Sequence, residues 1–393
     1  MPSSTSNSEI FNEEHESLGI ETHDEVYKEE LHLPYRIIPN QSWLSVNFFA
    51  GVLLIFAVVG WELLSRNMHH TAGNYQSGNE SMWAEERSKL DVENKLKVVI
   101  IGSSRTLFGF DFNVINDEIG TKPLQLSIPG TGPALFVKDV VENTDFDGLL
   151  IVGVSPFLFN RMDEGHFGQG AIDAYNNQSP SGYIGAKIHD FLSDYFAFLD
   201  DAFSLPALIE RYINFPNRKG SKQLMEEIWK LGNFYEGRLI EMWEPVETVG
   251  SFDNTQMINF WKPGLRRQSP PAEKIREMAQ VSIDHYAPFI KEMRARGGDI
   301  MFIRMPSSGD YLKFDLMTDY YNNMWKPMIE GLDVVGLNAM DHPALSMDLE
   351  IPEWSHLSRK SQDEFSRVVF SYIDKAYLDK TGKSVYELIK LER

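Results

Sequence analysis

The sequence lacks cysteine altogether and is poor in basic residues. Its 393 residues include 37 Lys and Arg against 57 Asp and Glu, a net charge of −20. The absence of cysteine excludes disulfides, thiolate zinc sites and thiol catalysis, and suits an oxidising compartment. The acidic balance, with no basic stripe, argues against a nucleic-acid partner. The adjacent His69 and His70 have no further ligands beside them, so we expect neither a metal nor another cofactor.

The first 40 residues contain few apolar side chains. They hold nine acidic residues against Lys28 and Arg36, and they begin with Ser and Asn repeats. A segment of this composition cannot bury enough apolar surface to fold alone. We therefore expect an acidic disordered tail over residues 1–40.

Charge is missing from the stretch that follows. No Asp, Glu, Lys or Arg lies between Arg36 and Glu62, and Leu44–Leu64 is rich in Phe, Val, Leu, Ile and Ala. Trp43 and Trp61 bracket this stretch, separated by about 27 Å if it is helical. That length matches a hydrocarbon core of about 30 Å with Trp at each interface. A cleaved signal peptide would have a short basic leader, and a core helix would have a polar face, so an uncleaved membrane span fits better.

The predicted transmembrane helix covers residues 41–65, and a spacer follows over residues 66–95. A large domain after a lone first span commonly lies across the membrane from the N-terminus. We therefore expect a single-pass membrane protein with a cytoplasmic N-terminus. Its main domain would be extracytoplasmic, in the periplasm or at the cell surface.

Beyond residue 95, short apolar runs alternate with helical patterns. This alternation is typical of βαβ units and of a parallel sheet covered on both faces. The predicted strands are Val98–Ile101, Leu124–Ile128, Leu149–Val154, Asp299–Met305 and Leu332–Leu337, and the predicted helices are Asp111–Ile119 with Asp111 as N-cap, Pro133–Glu142, Ala272–Arg296 and Ser358–Tyr377.

Residues 157–271 interrupt this alternation. The stretch is rich in aromatic residues and mostly helical in pattern, as in Leu224, Met225 and Ile228, with a polar loop at Asn176–Gly182. We interpret it as a helical insertion beside the carboxyl edge of the sheet. There it forms either a lid or substrate wall, or only additional packing.

Two hydroxyl groups follow the first predicted strand, in Gly102-Ser103-Ser104. Ligands of open α/β sheets bind at this carboxyl edge, so these serines either cap the next helix or supply a nucleophile. Near the end of the chain, Glu353-Trp354-Ser355-His356 offers a base and a carboxylate that can orient it. After the second strand, Gly130 can present a backbone N–H to a developing oxyanion, or can simply mark a turn.

Gly-Ser-Ser after one strand, a Gly turn after the next, and acid-x-x-His before the last helix together resemble the SGNH (GDSL-like) hydrolase superfamily. The resemblance implies a flavodoxin-like three-layer α/β/α fold over residues 96–380, with residues 157–271 as an insertion. It implies Ser104 as nucleophile, His356 as base and Glu353 as the residue that orients the base. The backbone N–H groups of Ser104 and Gly130 would form the oxyanion hole.

Two positions depart from the family pattern. Glu353 stands where the family has Asp, and it can orient a histidine with one more methylene. The family's third block supplies an Asn to the oxyanion hole, but here Ser155 follows the third strand and the next Asn is Asn160. Ser155 would have to donate instead. Losing one such donor costs about 100- to 1000-fold in rate, so a non-catalytic glycan-binding or assembly module remains the alternative.

The membrane anchor adds a second resemblance, to the alginate O-acetyltransferase group and to the D-alanyl-transfer partner of teichoic acid synthesis. It implies an O-acyltransferase or carbohydrate esterase of the cell envelope that acts on surface polysaccharide. It also implies a multi-span membrane-bound O-acyltransferase as a partner. Arg105 and Arg304 could contact an anionic substrate, although arginines at strand ends commonly form structural ion pairs.

Overall fold

The computed structural model describes residues 42–68, 79–92, 96–156, 158–159, 166–212, 230–265 and 270–389. The expected tail, the pair His69 and His70, the pattern Leu224–Ile228 and Asn160 all lie outside the described residues. The chain divides into two compact units, residues 1–57 and 58–393.

The described part of the first unit is helical. Helix α1 runs from Trp43 to Asn67, and within the described residues it is the one helix long and apolar enough to cross a membrane. Phe48, Leu53 and Phe56 are each more than 60% exposed. Such exposure of large apolar side chains suits a helix surrounded by hydrocarbon rather than by water.

Parallel strands form the centre of the second unit. They are β1 Val98–Ile101, β2 Leu124–Gln125, β3 Leu149–Val154, β6 Asp299–Arg304 and β7 Gly336–Asn338, while β4 Gly232–Tyr235 and β5 Leu239–Met242 form a separate antiparallel hairpin. The five-stranded sheet has the order β2-β1-β3-β6-β7, so the predicted parallel α/β sheet is confirmed. The connections leaving β1 and β3 run in opposite directions, which makes the β1/β3 crevice the topological switch point.

Helices surround the sheet. They are α2 Asn79–Val92, α3 Ser104–Leu107, α4 Phe112–Ile119, α5 Ala134–Asn143, α6 His166–Asn177, α7 Pro180–Ser193, α8 Leu205–Tyr212, α9 Glu244–Glu247, α10 Phe252–Leu265, α11 Ala272–Ala295, α12 Gly309–Met317, α13 Lys326–Leu332, α14 Arg359–Thr381 and α15 Val385–Leu388.

Both faces of the sheet are buried because alternate residues of each apolar strand face opposite cores. Val99 packs with Phe136 of α5 in one core, and Val98 packs with Phe365 of α14 in the other. The two helical layers therefore leave the carboxyl edge of the sheet as the place where polar side chains can gather.

Local capping rules explain several helix ends. Asp111 caps α4, and its Oδ1 accepts hydrogen bonds from the N–H groups of Asn113 (2.8 Å) and Val114 (3.0 Å). Ser358 caps α14 in the same way, with its Oγ 3.2 Å from the Ser361 nitrogen. The predicted N-cap at Asp111 is therefore confirmed.

The second half of the expected spacer contains a packed helix, α2. Trp83 of α2 is fully buried, donates a hydrogen bond to the Leu126 carbonyl (3.0 Å) and packs against the ring of Phe136. Arg87, also fully buried, forms an ion pair with Asp139 of α5. One large aromatic side chain and one buried charge pair thus attach residues 79–92 to the α/β domain.

The hairpin in the insertion is a further difference from the sequence pattern, which predicted mostly helix. Phe234 and Ile240 of the hairpin pack with Leu107 and Phe108, at the end of the short helix α3 that follows β1. The insertion therefore contacts the α/β domain beside the carboxyl end of β1.

Three strand predictions shift at their ends, and the smallest shift shortens Asp299–Met305 by one residue. Strand β2 ends at Gln125, although the N–H groups of Leu126 and Ile128 still donate to carbonyls at the end of β1. The run Leu332–Leu337 starts at the last residue of α13. That helix ends because Asp333 adopts a left-handed conformation with φ of 50°, and β7 begins only at Gly336. At these positions the apolar pattern continues from the strand into the adjacent helix or loop, so hydrophobicity alone does not locate the strand end.

Candidate active site

A tight turn places Ser104 at the carboxyl end of β1. Ser103 precedes helix α3 in an extended conformation, and Ser104 is its first residue. Ser103 is buried, whereas Ser104 is partly exposed. Within the described residues, neither the hydroxyl nor the backbone N–H of Ser104 has a hydrogen-bond partner. Ser104 thus offers a free hydroxyl at the topological switch point of the sheet.

Thr106 fills the gap between the ends of β1 and β3. A Cβ at either Gly102 or Gly153 would overlap the Thr106 hydroxyl. The close approach of helix α3 to both strands therefore requires glycine at these two positions. This packing fixes the turn that carries Ser104.

The turn Glu353–His356 precedes α14, and its backbone is strained. Trp354 adopts a left-handed conformation with φ of 77°, which is costly for a bulky residue, about 1–3 kcal/mol. Its indole lies against Gly309, where a Cβ would overlap it, and its carbonyl accepts a hydrogen bond from the Ser308 nitrogen (3.0 Å). The strain turns Glu353 and His356 towards each other.

Glu353 is fully buried, and four donors contact its carboxylate, one of them the Ser355 backbone nitrogen at 3.3 Å from Oε1. Oε1 accepts from His356 Nδ1 at 2.9 Å and from the His356 backbone nitrogen at 2.5 Å, and Oε2 accepts from Trp261 Nε1 at 2.5 Å. Burial by itself raises the pKa of Glu353. The charge of His356 and the hydrogen bonds from His356 and Trp261 outweigh burial and hold that pKa below its ordinary value.

An ionised Glu353 determines the tautomer of His356. A carboxylate only accepts hydrogen bonds, so Nδ1 must carry the proton that it shares with Glu353. In the neutral imidazole, Nε2 then has a free lone pair and can act as a base. Nε2 is buried, and among the described residues it has no hydrogen-bond partner.

Two aromatic rings hold the His356 imidazole. The ring centroid of Phe108 lies 4.7 Å from it, and that of Trp261 lies 5.9 Å from it. Phe108 closes helix α3 by donating its N–H to the Ser104 carbonyl at 2.9 Å, so the two residues stand one helical turn apart. The structure describes both Ser104 and His356 and forms no hydrogen bond between their side chains.

Arg105 provides a second connection between the two turns. Its Nε donates to Ser355 Oγ at 3.1 Å, and its guanidinium lies 4.5 Å from the ring centroid of Tyr311. Burial raises the pKa of Tyr311 to about 12, so this phenol stays neutral. Arg105 is 5% exposed, and among the described residues its Nη1 has no hydrogen-bond partner.

The other predicted substrate contact, Arg304, lies at the end of β6 among protein partners. Its Nη2 forms an ion pair with Asp315 at 3.0 Å, and its Nη1 lies 3.4 Å from Asn338 Oδ1. Burial raises the pKa of Asp315, and the positive charges of Arg105 and Arg304 partly offset that rise. Both arginines thus have structural partners, and among the described residues each also has one buried donor without a partner, Nη1 of Arg105 and Nε of Arg304.

The predicted oxyanion-hole residues follow the ends of the second and third strands. Gly130 has φ of 72°, and its N–H donates to no atom of the described residues. Ser155 is buried, and its hydroxyl lies 2.7 Å from that of Ser103. Either hydroxyl can be the donor of this bond, so Ser155 is oriented by Ser103.

Sequence reasoning missed Trp261. It lies in α10 of the insertion, 92 residues before Glu353. Asn254 of the same helix donates to the Pro352 carbonyl at 3.1 Å. The insertion therefore touches the Glu353 turn directly. No local spacing joins Trp261 to Glu353; only the high aromatic content of residues 157–271 hinted at such a role.

Within the described residues, no cluster of three or more His, Asp or Glu side chains is arranged to hold a metal ion. Neither the family models, nor the curated proteins, nor the solved structures with which the chain was compared gave a match. The site therefore has to be interpreted from its own geometry.

Proposed function

We propose that the chain is a membrane-anchored serine acyl-ester enzyme of SGNH type, an O-acyltransferase or an esterase that acts on cell-surface polysaccharide. The observation that carries the proposal is the buried Glu353–His356 pair, with Trp261 on its second oxygen. A carboxylate bonded to Nδ1 leaves Nε2 as a base, as serine esterases require. Ser104, the first residue of α3, has a free hydroxyl. It lies one helical turn before Phe108, whose ring packs against His356.

In the proposed reaction, Ser104 Oγ attacks the carbonyl carbon of an acyl donor while His356 Nε2 takes the hydroxyl proton. The tetrahedral oxyanion accepts hydrogen bonds from the Ser104 and Gly130 N–H groups, with Ser155 as a third donor. Collapse breaks the bond to the leaving alcohol, which receives the proton from His356. A polysaccharide hydroxyl or water then attacks the acyl-serine and loses its proton to His356. The second tetrahedral intermediate collapses, the bond between the acyl carbon and Ser104 Oγ breaks, and Oγ regains the proton from His356.

The SGNH-type fold belongs to the same proposal. The sheet order β2-β1-β3-β6-β7, with helices on both faces, is the order of flavodoxin-like sheets. Helix α1 would anchor the domain, and the extracytoplasmic side would give it access to surface glycans. A multi-span O-acyltransferase could then deliver the acyl group across the membrane.

Hydrolysis of p-nitrophenyl acetate by the purified full chain in detergent tests the chemistry. Ser104→Ala and His356→Ala should each lower the rate by about 1000-fold or more, because nucleophile and base act as a unit. Ser371→Ala, on the exposed face of α14, is the matched control and should retain the rate. Folded Ser104→Ala and His356→Ala variants with the parent rate would refute the proposal.

A non-catalytic glycan-binding or assembly module is the second candidate. It is favoured by the absent Ser104–His356 hydrogen bond and by Ser155, which stands in the family's Asn position and is bonded to Ser103. This candidate predicts that Ser104→Ala leaves cell-surface acylation unchanged while deletion of residues 157–271 abolishes it. The enzyme proposal predicts loss of acylation in both.

A further inference from the structure

Helix α7 in the insertion presents an apolar stripe to its surroundings. Ile184, Ile188, Phe191 and Tyr195, with the last just beyond the helix end, are 55%, 55%, 61% and 59% exposed. Their spacing of four, three and four residues places them on one side of the helix. We refer to these four residues as the α7 outer stripe.

The covered side of α7 is the more polar one. His189, Asp190 and Ser193 are partly or fully buried. Lys187 is exposed at the edge of the stripe and forms an ion pair with Glu85 of α2. Burial raises the pKa of Asp190. A surface helix of a water-soluble domain normally shows the opposite arrangement, with apolar residues inside. The orientation of α7 therefore calls for an apolar environment outside the domain.

The α7 outer stripe lies beside the end of α1. Arg66 Nη2 donates to the Tyr195 carbonyl at 3.0 Å, and Trp61 Nε1 donates to the Phe203 carbonyl at 2.9 Å. Glu62 Oε2 accepts from the Phe198 nitrogen at 3.2 Å. These contacts lie within the second unit. They attach the segment after α7 to the turns of α1 where the sequence places the membrane interface, at Trp61.

We propose that the α7 outer stripe inserts into the headgroup–acyl boundary of the lipid bilayer next to α1. Three observations favour lipid as the occupant. Tyr195 of the stripe is hydrogen-bonded to Arg66 near the end of α1, the helix that is long and apolar enough to cross a membrane. The four residues of the stripe are uncharged, and the last of them is a Tyr. Amphipathic helices with these features lie in the membrane interface. The inserted stripe would hold the α/β domain at a fixed height above the membrane.

The absence of native cysteine makes the test direct. The full chain is reconstituted in phosphatidylcholine–phosphatidylglycerol vesicles after Ile188→Cys and attachment of a nitroxide. Collisions with oxygen and with a water-soluble nickel complex are then measured. The expected result is several-fold lower collision with nickel at position 188 than at Leu378→Cys. Leu378 is a matched apolar control, 46% exposed, and Lys380 beside it pairs with Asp333 just before β7, at the amino edge of the sheet.

Leu53→Cys, in the middle of α1, reports insertion of the span itself. If position 53 is lipid-exposed while position 188 is as accessible to nickel as position 378, the α7 proposal is overturned. If position 188 becomes protected only in native membranes and not in vesicles of the purified chain, a protein partner covers the stripe, and the lipid proposal is likewise overturned. Neither result depends on whether Ser104 is a nucleophile.

Discussion

At the residue scale, the position and protonation of His356 follow from its neighbours. Glu353 accepts a hydrogen bond from its Nδ1, while the rings of Phe108 and Trp261 both contact the imidazole. The sequence could suggest the Glu353–His356 pair because the two residues are three positions apart. It could not suggest the aromatic neighbours, which come from distant segments.

Glu353→Gln should change the acid stability of the protein. Because the pKa of Glu353 is lowered, its charged form stabilises the folded state above the ordinary Glu value of 4.5, and that stabilisation is lost as pH falls through the lower folded-state pKa. We expect the variant to be about 2 kcal/mol less stable near neutral pH and to lose less stability on acidification. Urea unfolding of the full chain in detergent, from pH 6 to pH 3, measures both. If the free energy of unfolding fell with pH equally in the parent and in Glu353→Gln, this role would be contradicted.

Trp261→Phe should impair positioning while keeping the ring against His356. Removing one hydrogen bond to a carboxylate costs about 1.5–3 kcal/mol, so we expect ester hydrolysis to slow by about 10- to 100-fold. The pKa of Glu353 should rise, because one of the bonds that lowers it is gone. The acid limb of the pH–rate profile should therefore move to higher pH. A lower rate with an unmoved acid limb would indicate a merely structural role.

At the element scale, the strands that the sequence predicted best are those buried on both faces. Val98–Ile101 and Leu149–Val154 are continuous apolar runs, and both are observed with the predicted bounds. The hairpin β4–β5 was missed because its strands have four residues each and join through a turn inside a stretch of helical pattern. Long-range packing against Phe108 stabilises it, and no local signal encodes that contact.

Asn254→Ala should loosen the turn that carries Glu353. Asn254 is buried, and its Nδ2 donates to the carbonyls of Val246 (2.9 Å) and Pro352 (3.1 Å). Leaving both carbonyls without this donor should destabilise the protein by about 1–3 kcal/mol. Amide hydrogen exchange over residues 350–356 should accelerate more than exchange in β3. Equal acceleration everywhere would show that Asn254 supports only global stability.

At the scale of the whole molecule, composition predicted the apolar helix and the parallel α/β sheet. The helix follows from the absence of charge before Glu62, and the sheet follows from the alternation of apolar runs and helical patterns after residue 95. The packed helix α2 within the expected spacer could not be predicted, because its mostly charged sequence gives no sign that Trp83 and the charged Arg87 are both fully buried.

Topology provides a prediction at the same scale. With the N-terminus cytoplasmic, an alkaline phosphatase fused after Arg393 should be active and a fluorescent protein fused at the same position should be dark. A lone span followed by a large domain commonly has this orientation. A bright fluorescent-protein fusion together with an inactive phosphatase fusion would place the domain in the cytoplasm. Surface glycans would then be excluded as substrates.

Labelling with a fluorophosphonate tests the central claim, an activated Ser104, most directly. The full chain in native membranes is treated with the probe, and the modified peptide is identified by mass spectrometry. We predict modification of Ser104 in the parent and in Ser371→Ala, strongly reduced modification in His356→Ala, and none in Ser104→Ala. A folded chain that the probe leaves unmodified, or that it modifies equally after Ser104→Ala, would contradict the account.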